Sequence, residues 1–224
     1  MTYLVLKTHF LGVKTNAGDL KKLFKFTIFI GIARGLTAIA SRLDVLMLIS
    51  LRNATEAGIY STAAKVVSIY PLLSGSFSMV LAPKIAKIQD RRVLAAFLKK
   101  AILATALIIM SNIVMMIFAY PFIIVLFGQK AAPAVEVFRW LLLAMIFFVA
   151  SIPPVTLAIY HLKKPYILSI NSILQLLIVF FGNLYFIPRF GMVGPAFSLI
   201  LAYALTLFLT TVMVISQYSN RNEI

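Results

Sequence analysis

Residues 101–127 read AILATALIIMSNIVMMIFAYPFIIVLF, 27 positions without a charged side chain. At about 1.5 Å per residue this run is long enough to cross a hydrocarbon core about 30 Å thick. Working outward, Trp140–Tyr160, Tyr166–Ile187 and Phe190–Tyr218 are also uncharged and separated by short connections. Upstream, the stretches near Leu23–Ile49 and Ala57–Pro83 have the same length and apolarity but carry Arg34, Arg42 and Asp44, and Lys65, respectively. Six spans follow, at about 23–49, 57–83, 101–127, 138–160, 166–187 and 191–217. Continuous apolarity over twenty positions excludes barrel strands, which alternate over about ten. The expected fold is therefore an all-α polytopic membrane helix bundle of six transmembrane helices.

The composition supports this and removes other classes. Of 224 residues 62 % are hydrophobic and 12 % charged, against roughly 25 % charged in soluble domains. Without cysteine there is neither a disulfide framework nor a Cys-ligated metal site. The net charge of +15 would elsewhere suggest a nucleic-acid partner. Here the basic residues punctuate apolar runs, so they are topology signals and no nucleic acid is expected. Lys7, Lys14, Lys21, Lys22 and Lys25, the cluster from Lys84 to Lys100, Lys163, Lys164 and Arg221 would share one side. Arg52, Lys130, Arg139 and Arg189 fall on the other. By the positive-inside rule both termini are cytoplasmic and the chain is a multi-pass protein of the inner (plasma) membrane. Residues 1–22 form a cytoplasmic linker segment and 219–224 a cytoplasmic tail. The first twenty residues are neither a span nor a signal peptide, because Lys7 and Lys14 interrupt them and no small-residue cleavage site follows.

Ionisable groups inside spans are expensive and face a bundle interior or an aqueous cavity. Asp44 and Lys65 lie at matching depths, about 9 and 12 Å below the outer boundary, and so are candidates for an interhelical ion pair. Arg42 lies roughly 160° from Asp44 on the same helix. Arg34, Thr37, Ser41 and Asp44 form one polar stripe, Ser61, Lys65 and Ser68 a second, and Asn171 and Gln175 a third. The first two are expected to line a polar path; the third suits packing between helices. Pro71, Pro121, Pro153, Pro154 and Pro195 open helical turns, a feature of transporters that ordinary membrane helices also tolerate. Gly31 and Gly35 have the small-xxx-small spacing of close helix packing.

Other motif searches return little. No P-loop, HExxH or G-x-S-x-G occurs, and no metal or cofactor is implied. ATP-driven transport would need a nucleotide module on another chain. His9 and His161 flank membrane boundaries as interfacial residues, and Asn53-Ala54-Thr55 is a weak sequon.

Arg42-Leu43-Asp44 followed by Glu56-Ala57-Gly58-Ile59-Tyr60-Ser61-Thr62-Ala63-Ala64-Lys65 resembles the polysaccharide flippases of the multidrug/oligosaccharidyl-lipid/polysaccharide exporter superfamily. Phe77 to Lys84, Tyr120-Pro121-Phe122 through Gly128 to Pro133, and Asn183 through Pro188-Arg189-Phe190-Gly191-Met192-Val193-Gly194 extend the resemblance over about residues 20–215. It implies one half, the carboxy-terminal bundle, of a two-bundle transporter that moves a polyprenyl-diphosphate-linked oligosaccharide to the outer leaflet by alternating access. O-antigen, capsule or exopolysaccharide assembly would be the setting.

On that reading Arg34, Arg42 and Lys65 bind the anionic substrate, where charge-assisted contacts in a low-dielectric cavity are strong. Asp44 is their counter-ion or a coupling-ion acceptor, and Thr37, Ser41, Ser61 and Ser68 line the cavity. The expected partners are the lipid-linked oligosaccharide, membrane lipids, a missing amino-terminal six-helix half, and a glycan polymerase or synthases. A multidrug antiporter of the same superfamily is disfavoured by one intramembrane acid against three bases. A non-transporting scaffold of a glycan-assembly complex is the other alternative. An enzyme is not expected, since neither long loops nor a catalytic cluster is present.

Overall fold

A computed structural model describes residues 17–88, 90–163 and 166–219. The expectations for residues 1–16 and 220–224, and for the side chain of Ser41, lie outside the described residues. The described chain is all helix: α1 (Ala17–Leu51), α2 (Ala54–Val67), α3 (Ile69–Lys87), α4 (Arg91–Ile117), α5 (Ala119–Phe127), α6 (Ala134–Tyr160), α7 (Tyr166–Phe190) and α8 (Gly194–Ser219). Short 3₁₀ turns at Gln129–Ala131 and Gly191–Val193 lead into α6 and α8. Arg92–Ile117, Ala134–Tyr160 and the hairpin within Tyr166–Gln217 are long and apolar enough to cross a membrane. The protein is an all-α membrane helix bundle.

Two of the six expected spans are not continuous. The first helix of each pair ends at Val67 or Ile117, four residues before Pro71 or Pro121. A proline ring clashes with the carbonyl four residues earlier and brings no N–H to bond it. Helix therefore stops there, and each proline becomes the third residue of the next helix, where an N–H would lack an intrahelical partner anyway. Ser68 and Phe118 sit at the two breaks and still donate their backbone N–H groups to Ala64 and Val114. Pro83, Pro153, Pro154 and Pro188 stay inside helices. The outer limits also shift, since α1 starts at Ala17 and α4 at Arg91, ahead of the expected 23 and 101.

Helix α6 is the centre of the bundle. Its apolar window is 61 % buried, against 17 % for that of Arg92–Ile117. It packs on α8, α4, α2 and α3, and Phe138, Leu141, Leu142 and Val149 anchor the main core. Helix α1 packs chiefly on α7, which packs on α8.

Glycines permit the α7–α8 hairpin. Gly191 has φ +58°, a left-handed conformation that glycine adopts without steric penalty. A Cβ at Gly194 would lie 2.7 Å from the Ile187 backbone, and one at Gly182 would lie 2.7 Å from Ser198 Oγ. Gly31 and Gly35 are different: a Cβ at either would meet nothing within 4 Å. The close packing expected from their spacing is thus absent among the described residues, and it is Gly182 and Gly194 that admit a neighbouring backbone.

Candidate functional site

A ladder of polar contacts ties α1 to α7. Ser169 Oγ donates to the Phe29 carbonyl at 2.7 Å, Thr37 Oγ1 lies 3.4 Å from Ser172 Oγ, and Asn183 Nδ2 donates to Asp44 Oδ1 at 2.9 Å. Positions rise together on both helices, so α1 and α7 run parallel, as two traverses separated by three others must. Interhelical hydrogen bonds of this type average about 0.6 kcal/mol in membrane proteins.

Asp44 is the buried end of this ladder, only 4 % exposed. Its other oxygen accepts from Tyr60 Oη on α2 at 2.8 Å. One carboxylate therefore joins α1, α2 and α7, and no cation neutralises it among the described residues. Asn183 is itself fully buried, and its Oδ1 has no hydrogen-bond partner. Ser198 Oγ of α8, packed on Gly182 one residue away, is also buried without a partner.

The expected Asp44–Lys65 ion pair does not form. Depth matching identified the correct helix pair but the wrong residue on α2. Ala57, Tyr60, Ala63 and Val67 are the buried face of that helix. Lys65 lies about 140° from Tyr60 at 100° per residue, and it is exposed. Tyr60 takes its place because a long phenol reaches the carboxylate from a position nearer the turn. Sequence reasoning also missed Asn183. Ser169, Ser172 and Asn183 fall within about 60° on one helix face, and that stripe was the available signal.

The remaining candidates are spread over several surroundings. Arg34 and Arg42 are exposed on α1; Arg42 lies on the side opposite Ala40, Asp44 and Met47, the packed face. Thr37 also donates back to the Ala33 carbonyl at 2.9 Å. Ser61 is half-buried, while Ser68 is exposed at the α2–α3 break and donates to the Lys65 carbonyl at 2.6 Å. Asn171 is buried with its Nδ2 unpartnered, and Gln175 is half-buried on the same helix.

At the opposite end from the long basic loop, Asn53 caps α2. Its Oδ1 accepts from the Glu56 backbone N–H at 2.8 Å while its Nδ2 donates to Glu56 Oε1 at 3.2 Å. This reciprocal arrangement resembles a capping box and gives the Asn53-Ala54-Thr55 triplet a structural role. Glu56 also pairs with Arg52 at 3.3 Å, and both side chains pack over Gly191. The α1–α2 turn is thereby seated on the α7–α8 turn.

Helices with polar groups held between them, inside an apolar exterior, define a polytopic membrane protein with a polar interior. Residues 1–136 match the family model described as polysaccharide biosynthesis protein, and the chain belongs to that family. Its role thus lies in the synthesis or export of polysaccharide. Neither a curated protein sequence nor a solved structure matches the chain.

Proposed function

We propose that this bundle forms one wall of a flippase that carries a polyprenyl-diphosphate-linked oligosaccharide across the inner membrane by alternating access. One observation carries the reading. Arg34, Arg42 and Lys65 stand on the exposed faces of α1 and α2 without an acidic partner among the described residues, while Asp44, the nearby acid, is engaged elsewhere. A centrally placed cation costs about 2.5–3.5 kcal/mol to insert into lipid. Three such groups favour a face turned to a polar cavity and an anionic cargo. A diphosphate supplies the missing negative charge through charge-assisted contacts. A second bundle, covering α1 and α2, closes the cavity on alternate sides while the polyprenyl tail stays in the bilayer. Membership of the polysaccharide biosynthesis family supports a glycan as the cargo.

Asp44 is assigned the coupling role on this reading. It is a buried carboxylate held by neutral donors, and binding of a coupling cation there would loosen or tighten the α1–α2–α7 junction.

The test is complementation of a strain lacking the native gene, scored by surface glycan and by membrane-inserted protein. Arg42→Ala and Lys65→Ala should each abolish surface glycan, with normal insertion and with lipid-linked oligosaccharide accumulating inside. Full export by either variant would refute the assignment. Resistance to organic cations conferred by the native chain would point instead to drug antiport.

A further inference from the structure

Helix α6 carries two adjacent prolines near its far end, and the packing changes there. Among the described residues, Phe138, Leu141, Leu142, Val149 and Ile152 of α6 belong to the main core, whereas Leu157 belongs to a small second core with Ile85, Leu94 and Ala101. Pro153 and Pro154 lie between the two sets. The same change occurs across the α2–α3 break, since Val67 and Tyr70 pack in the main core and Ile85 in the second.

Contacts between helices put these interruptions near one level. Asp44, Tyr60 and Asn183 are bonded together, Gly182 packs on Ser198, and Trp140 meets Phe197 edge-on with ring centroids 4.8 Å apart. Counted from that common level at about 1.5 Å per residue, Pro71 lies about 16 Å along α2–α3, Pro153 about 20 Å along α6 and Thr210 about 20 Å along α8. Helix α4 is keyed to α6 by Asn112, which donates to the Leu142 carbonyl at 3.1 Å, and its Thr105 lies about 14 Å from the same level.

Each of these helices is weakened there. The two prolines of α6 bring no N–H to the carbonyls of Val149 and Ala150. Thr105 and Thr210 turn their hydroxyls back onto carbonyls four residues earlier, at 2.9 and 2.6 Å, a contact that bends helices. A groove of about 390 Å³ opens beside them between α4, α6 and α8, lined by Thr105, Pro153 and Pro154 and, toward the second core, by Leu98 and Leu157. Helices α1 and α7, in contrast, are fastened to each other across this level by Thr37 with Ser172 and by Ser169 with the Phe29 carbonyl.

We infer that the ends of α3, α4, α6 and α8 beyond this level form a unit that hinges against the α1–α7 frame, with the groove as the clearance it closes. A close-packed interior resists such a swing, whereas open space beside the prolines admits it. A proline kink of about 20° acting over a lever of about 15 Å, the length of α4 from Ala101 back to Arg91, moves the α3–α4 end by about 5 Å. The inference does not depend on the cargo.

The chain has no cysteine, so introduced pairs carry spin labels without background. In the full chain in phosphatidylcholine nanodiscs, Val93→Cys with Ile170→Cys measures the unit against the frame, and Ile39→Cys with Ile173→Cys measures the frame itself. All four positions are exposed. Double electron–electron resonance should give two distances about 5 Å apart for the first pair and one narrow distance for the second. Pro153→Ala with Pro154→Ala restores both N–H groups and should collapse the first pair to a single distance. Ala106→Phe, which fills the groove, should also leave only one of the two. A single narrow distance in the native chain would overturn the inference. So would two distances that persist in the double proline variant, or an equal spread in the frame pair. If Ala106→Phe fails to insert, the proline variant still decides.

Discussion

Asn183 on α7 donates to Asp44 on α1 across 139 positions of sequence, and the two side chains are nearly or fully buried. The bond joins parallel helices at the level where α2 contributes Tyr60 to the same carboxylate. Removing the amide leaves a buried acid short of one donor, a loss of about 1–3 kcal/mol. Asn183→Leu should therefore lower the detergent melting temperature. Asp44→Asn keeps polar contacts with both neighbours and should stay folded, yet fail to export glycan if the carboxylate couples transport. Active Asp44→Asn protein would reduce the residue to an interhelical fastening.

Glycine replacements should divide sharply by position. Gly194→Ala places a methyl against the Ile187 backbone and should splay the α7–α8 hairpin, with a loss of about 1–3 kcal/mol from overpacking. Gly191→Ala combines the left-handed φ with contacts to Glu56 and Arg52, and should also destabilise. Gly31→Ala and Gly35→Ala meet open space and should be neutral or slightly stabilising in the isolated chain. Thermal unfolding of the four variants in one detergent checks this order.

The paired breaks invite a direct test. Pro71→Ala or Pro121→Ala restores the missing N–H and removes the clash with Val67 or Ile117, so each broken traverse should become continuous. Spin labels placed on either side of the break should report a straighter, narrower distance distribution. A flippase that bends at these breaks would lose export while retaining insertion.

Asn53→Ala removes the cap of α2 and should cost about 1 kcal/mol, whereas Asn53→Asp should retain most of it. Amide hydrogen exchange in the first turn of α2 distinguishes the two. Thr55→Ala eliminates the sequon but leaves the cap, and should show little change in exchange.

The helical class and membrane character were legible because twenty-residue apolar runs have few other physical solutions. Helix breaks were legible only as prolines: Pro71 and Pro121 interrupt their traverses while Pro153 and Pro154 do not, a difference that proline position alone does not specify. Depth along a helix could be counted from the sequence, and it paired α1 with α2 correctly. The azimuth around each helix depends on all neighbours at once, which is why depth alone points to Lys65 and does not reach Tyr60. Asn183 needed the partner helix to be known before its polar face had meaning. The spacing of Gly31 and Gly35 looked like packing because spacing alone does not specify what lies opposite.

The Asp44–Asn183 separation also bears on how the chain is made. Ribosomes add about 5–20 residues per second, so Asp44 precedes its α7 partner by about 7 to 28 s. During that interval the α1 carboxylate has only the α2 phenol of its two side-chain donors. Completion of the bundle is then gated by translation, and α1 is the segment whose integration should depend most on a membrane insertase or chaperone.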